Sequence, residues 1–202
     1  MQIENHKEEV PFSHYTELFA KLDPQEAAAR LPFVDFEAGV FTISLLGKTY
    51  RISWPEYTIE ALEGPLPPLP TQTFLLRCLL EAKDVSWNGQ WKTFREMPWG
   101  EMYHKPYTGR VLTRAAFTFG TRVAKFRAAC EKLGAAPLNH GDAGFEFDFF
   151  GPYKMQILVW EGDDEFPPNA QVIYTANFAE GFSAEDRVVA GDILIGHIKS
   201  AM

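Results

Sequence analysis

Phe145, Phe147 and Phe149 alternate with Glu146 and Asp148; after Gly151-Pro152 the chain continues as Lys154–Trp160, KMQILVW, apolar at nearly every position. Alternation of period two describes a strand with one buried aromatic face and one acidic face. A run apolar on both faces describes a strand in the interior of a sheet. The two runs therefore form an antiparallel hairpin with a further strand beyond it, and Gln171–Thr175 is the expected third member. A second hairpin is written in Phe41, Ile43 and Leu45, which alternate with Thr42 and Ser44, turn at Leu46-Gly47-Lys48, and resume at Tyr50, Ile52 and Trp54. With helical patterns between and after them, these segments predict an α+β fold over 1–202, a single domain of antiparallel hairpins covered by helices.

From Ser13, residues Tyr15, Leu18, Phe19 and Leu22 mark one helical face, and Asp23-Pro24 with Glu26 opens a second short helix, so residues 1–34 read as an N-terminal helical segment packed on the rest. Gly64–Pro70, GPLPPLP, has four prolines and reads as a stiff connector. A helix follows from about Thr73, with Phe74, Leu75, Cys78, Leu79 and Ala82 inward, and Asn88-Gly89 marks a turn. The longest helical signal runs from Thr113 to Leu133, with Ala116, Phe119, Val123, Phe126, Cys130 and Leu133 inward and Gly134 as its stop. Its other face carries Arg110, Arg114, Arg122, Lys125, Arg127 and Lys132 against Glu131, a solvated face or a local anion site. Ser183 with Glu185 and Asp186 opens a last helix, with Val189, Ile193, Leu194 and Ile198 inward.

A chain of 202 residues can bury roughly 70% of its unfolded surface, enough for a core without staples. Its formal net charge of −8 has the wrong sign for tracking a phosphate backbone, which argues against nucleic acid as a partner. Cys78 and Cys130 are too few for a four-thiolate metal site and read as buried hydrophobes. Met1–Val10 is charged, without the apolar core of a secretory leader, and no stretch is apolar enough to span a membrane. A cytoplasmic protein without a membrane partner is the expectation.

Three places can carry chemistry. The loop Glu161-Gly162-Asp163-Asp164-Glu165-Phe166 follows the all-apolar strand and crowds four carboxylates together, either a solvated turn or a hard-cation site. Asn139-His140-Gly141-Asp142 precedes the partner strand, so antiparallel pairing brings His140 and Asp142 to the same sheet end as Asp163, Asp164 and Glu165. Those five residues would suit a divalent metal with an activated water, or a His–Asp acid/base pair, in a metal-dependent enzyme. The third place is Trp91–Arg110, where Trp99, Tyr103, His104 and Tyr107 stand among Pro and Gly. Either the rings pack on the core, or they line a pocket for a planar ligand such as a tetrapyrrole, with His104 as axial ligand to haem or corrinoid metal. The common nucleotide, hydrolase and zinc-protease motifs are missing from the sequence.

Leu46-Gly47-Lys48-Thr49-Tyr50 with Ile52 and Trp54, Phe94-Arg95-Glu96-Met97-Pro98 with Gly100 and Tyr103, Leu133-Gly134, Gly141-Asp142 and above all Trp160-Glu161-Gly162-Asp163-Asp164-Glu165-Phe166-Pro167 resemble the family called domain of unknown function 3786. The resemblance covers nearly the whole chain from about residue 35. It implies a setting in anaerobic bacteria and archaea, where some members look fused to a four-cysteine iron–sulfur domain like that of corrinoid proteins. It implies no activity and supplies no catalytic residues. The reading is a ligand-binding or accessory module, linked to corrinoid or redox one-carbon metabolism, taking a small molecule or a protein partner. The alternatives are the metal-dependent enzyme and a module that docks on proteins by charge.

Overall fold

The computed structural model describes residues 6–202; residues 1–5 of the charged Met1–Val10 segment, and the side chain of His6, lie outside the described residues. The fold is α+β with two antiparallel sheets, and contacts cluster into two units, residues 1–84 and 85–202.

In the first unit α1 (His6–Phe19) and α2 (Pro24–Arg30) precede a four-stranded meander, β1 (Asp35–Glu37), β2 (Val40–Leu45), β3 (Lys48–Ser53) and β4 (Thr58–Ala61), followed by α3 (Leu69–Glu81). Helix α1 begins seven residues before Ser13 and contains Pro11, which removes only the bond to the Lys7 carbonyl in the first turns. Asp23 caps α2 as expected, its Oδ1 accepting from the N–H groups of Gln25 and Glu26. The β2–β3 hairpin turns at Leu46-Gly47, both at positive φ, which suits the twist of a two-residue hairpin. The proline-rich connector is shorter than expected, because Leu69 and Pro70 already form the first turn of α3, where a missing N–H costs nothing. The expected inner face of α3 is buried.

In the second unit the sheet order is β5 (Trp91–Thr93), β9 (Asn169–Thr175), β8 (Tyr153–Trp160), β7 (Ala143–Phe150) and β6 (Ala136–Leu138). The KMQILVW strand is the central one, and the three expected strands are adjacent. Phe145, Phe147 and Phe149 are buried. On the opposite face Lys154 pairs with Asp148 (2.9 Å) and Glu146 (3.4 Å), which neutralises the acidic side of β7.

The helix expected over 113–133 is broken. A π-helical segment, Thr108–Thr113, leads into α5 (Arg114–Phe119), and α6 (Val123–Lys132) starts after a break at residues 120–122. The cause is packing at Gly120, whose ideal Cβ would lie 2.6 Å from Pro168 Cβ and 2.8 Å from the Trp160 carbonyl. The phase survives the break, since Ala116, Phe119, Val123, Phe126 and Cys130 are all buried. Of the six basic residues, Arg110 and Arg114 pair with Asp192, and Arg127 donates to the Asp142 carbonyl. Asp192 belongs to α8 (Ala184–Ala201), capped by Ser183; α7 (Phe178–Gly181) precedes it. The buried face of α8 is rotated from the expected one, with Arg187, Val188, Ala190, Gly191, Leu194, Ile195 and Ile198 inward and Val189 and Ile193 half-buried. Cys78 and Cys130 are buried and not joined in a disulfide.

Candidate functional site

The aromatic segment is built on a capped turn. Glu96 accepts from both the N–H and the hydroxyl of Thr93 (2.7 Å each), and these bonds hold its carboxyl below the usual range. Met97–Gly100 then closes a turn, Gly100 N–H donating to the Met97 carbonyl (2.9 Å), with Pro98 second and Trp99 third at φ +65°, ψ −1°. This is the type II pattern, in which the third residue is normally glycine or asparagine. Holding an L side chain there costs about 1–2 kcal/mol. Gly100 is required by close approach, as its ideal Cβ would lie 2.0 Å from the Phe94 carbonyl oxygen.

Helix α4 (Gly100–Tyr107) follows, and its two sides have different fates. Tyr107 is buried: its ring stacks on Phe94 at 4.0 Å, and its hydroxyl lies 3.2 Å from that of Tyr174. Tyr174 donates to the Arg187 backbone carbonyl (3.0 Å), so Tyr107 donates to Tyr174. Burial pushes both phenols above the ordinary tyrosine range. Trp99 and Met102 are 67% and 72% exposed, Tyr103 is exposed beside them at helical spacing, and His104 is half-buried, its Nδ1 3.4 Å from Thr108 Oγ1. The four aromatic and imidazole residues singled out in the sequence therefore differ in environment. Tyr107 belongs to the core, whereas Trp99 and Tyr103 are exposed. A cavity of about 530 Å³ among the described residues lies elsewhere, bordered by Asp35, Glu37, Thr42 and Arg51.

Arg187 anchors this turn, and sequence reasoning missed it. It is 1% exposed, donates Nη2–H to the Pro98 carbonyl (2.6 Å) and Nε–H to the Ser183 carbonyl (3.2 Å), and lies 5.8 Å over the Phe94 ring. Its Nη1 is buried with no hydrogen-bond partner among the described residues. Desolvation lowers its pKa, yet a guanidinium stays charged. The available signal was an arginine four residues before Gly191 and seven before Leu194, inside the apolar stripe.

The His140 turn and the carboxylate loop do meet at one sheet end. Asp142 N–H donates to the Val159 carbonyl (3.0 Å), and Glu161 N–H donates to Asp142 Oδ2 (2.7 Å). Two of the carboxylates, Asp142 and Asp163, are engaged by backbone, however. Asp163 Oδ1 accepts from Glu165 N–H (2.9 Å) and Phe166 N–H (2.7 Å), which keeps its carboxyl below the usual range. His140, Asp164 and Glu165 are exposed, and among the described residues no three His, Cys, Asp or Glu side chains group as metal ligands. The structure thus brings the two turns together without assembling the five side chains into a ligand set.

No helix among the described residues is long and apolar enough to cross a membrane. No curated protein and no solved structure matches the chain. The Phe94–Tyr103 block and the Trp160–Pro167 block, now seen as the strained turn and the tethered loop, both fall within residues 23–197, which match the family model described as Domain of unknown function (DUF3786), and the chain belongs to that family.

Proposed function

We propose that this chain is a non-catalytic accessory module that docks on a partner protein through the outer face of α4, with Trp99, Met102 and Tyr103 as contacts and His104 at the margin. The observation that carries this reading is Trp99, a left-handed non-glycine residue whose ring stays 67% exposed. Leu46 is also left-handed, but its side chain is buried, so packing offsets the strain. Trp99 gains little from burial, and strain without a packing return marks a functional position. Trp, Met and Tyr are residue types enriched at protein interfaces. Rings this exposed suit contact with a partner's surface better than a small molecule, whose sites bury most of the ligand. The partner belongs, on this reading, to corrinoid-linked or redox one-carbon metabolism, the setting that the resemblance implies.

The test is a photoreactive residue at Met102 in intact source cells. A discrete protein adduct is expected, lost on Trp99→Ala or Tyr103→Ala; no adduct, or one indifferent to both substitutions, overturns the reading. Haem and cobalamin titrations are expected to leave the absorption spectra unchanged. A bound spectrum that disappears in His104→Ala would replace the protein partner with a tetrapyrrole.

A further inference from the structure

A different surface of the second unit carries a second kind of information. The loop 161–168 is tied at both ends to Gly120: Gly162 N–H donates to the Gly120 carbonyl (3.2 Å), and Pro168 packs where a Cβ of Gly120 would be. Around this tether three large apolar side chains face solvent. Phe117, one turn earlier on α5, is 57% exposed; Trp160, ending β8, is 37% exposed; and Phe166, in the loop, is 67% exposed. Phe166 is held outward by a closed turn, since Asp163 accepts from its N–H and Asp163 N–H donates to its carbonyl (2.9 Å).

Charges of both signs flank these rings. Arg122 and Lys125 stand at the start of α6, just after Gly120, and Asp164 and Glu165 sit in the loop tied to Gly120, all exposed. None of these four forms an ion pair among the described residues. A face with an apolar centre and neighbouring uncompensated patches of opposite sign is self-complementary about a two-fold axis: each copy's anions meet the other's cations while the rings close the middle. We propose that this face pairs two copies of the chain, Asp164 and Glu165 of one copy against Arg122 and Lys125 of the other, around Phe117, Trp160 and Phe166. Each copy carries a net charge of −8, which opposes pairing anywhere that lacks such local complementarity.

Sedimentation equilibrium of the full chain tests this pairing. Wild type is expected to show a monomer–dimer equilibrium that weakens with added salt. Phe166→Ala should weaken it by about tenfold or more, with a melting temperature unchanged at dilutions where both chains are monomeric. Arg122→Glu with Lys125→Glu, or Asp164→Lys with Glu165→Lys, should each leave monomers, and mixing the two charge-reversed chains should restore a one-to-one dimer. A wild type that stays monomeric at about 100 μM, a dimer indifferent to Phe166→Ala, or a mixture that fails to pair overturns the proposal. A monomer that binds an oligolysine peptide through Phe166 also overturns it, and assigns the face to a cationic partner. Trp99→Ala should leave pairing intact, so the outcome is independent of the α4 docking face.

Discussion

Arg187 shows how a single buried charge can position a surface it never reaches. Its Nη2–H bond to the Pro98 carbonyl holds the turn that displays Trp99, while its Nε–H bond to the Ser183 carbonyl fixes the guanidinium to its own helix. A lysine would keep the charge buried without matching both carbonyls, whereas a methionine removes the charge and keeps much of the volume. Arg187→Lys is therefore expected to cost about 3 kcal/mol and Arg187→Met about 1–2 kcal/mol, read from urea midpoints at constant slope. The reverse order would show that the charge itself stabilises the fold. Tyr107 and Tyr174 give a second handle. Their folded pKa values are raised, so below about pH 10 both states hold the proton and stability is flat. Above it the unfolded chain releases protons first, and stability falls by up to about 1.4 kcal/mol per pH unit for each phenol. Tyr107→Phe should make that alkaline decline shallower by one proton, and an unchanged slope would contradict the burial of its hydroxyl. Trp99, Tyr103 and His104 were visible in the sequence as an unusual aromatic segment. Which of these rings faced inward was not, because the left-handed turn that sets their direction depends on Arg187, 88 residues after Trp99 in the chain.

At the scale of elements, the hairpins were legible because a period of two and short turns are local properties, and β2–β3 and β7–β8 have the anticipated pairing. The final helix and α2 were legible from their caps, Ser183 and Asp23. What local pattern could not show is an interruption imposed from outside. Apolar spacing continues through residues 116–130, yet the helix breaks because the 161–168 loop packs on Gly120. Gly120→Ala should therefore destabilise by about 2–3 kcal/mol, as a methyl forced against backbone and a proline ring, despite alanine's better helix propensity. A gain in stability by thermal or chemical unfolding would mean that the break has another cause. The π-helical segment likewise follows Pro106, which cannot donate to the Met102 carbonyl, while Thr108 Oγ1 donates to the His104 carbonyl (2.8 Å).

Across the whole molecule, the alternation of strand and helix patterns spoke correctly for an α+β chain, and antiparallel pairing correctly placed the His140 turn beside the carboxylate loop. Proximity of turns was legible; the allocation of lone pairs was not. Asp142 and Asp163 spend theirs on backbone N–H groups, a choice made by φ and ψ values that no spacing rule reports. The same distinction separates a ring that packs from a ring that is presented, and Trp99 is where it can be measured. Trp99→Gly removes the left-handed penalty and little burial, so if the residue is kept for what it presents, the variant will unfold about 1 kcal/mol later than wild type and lose the Met102 photoadduct. A variant that is less stable than wild type, or that keeps the adduct, would contradict α4 as the docking face.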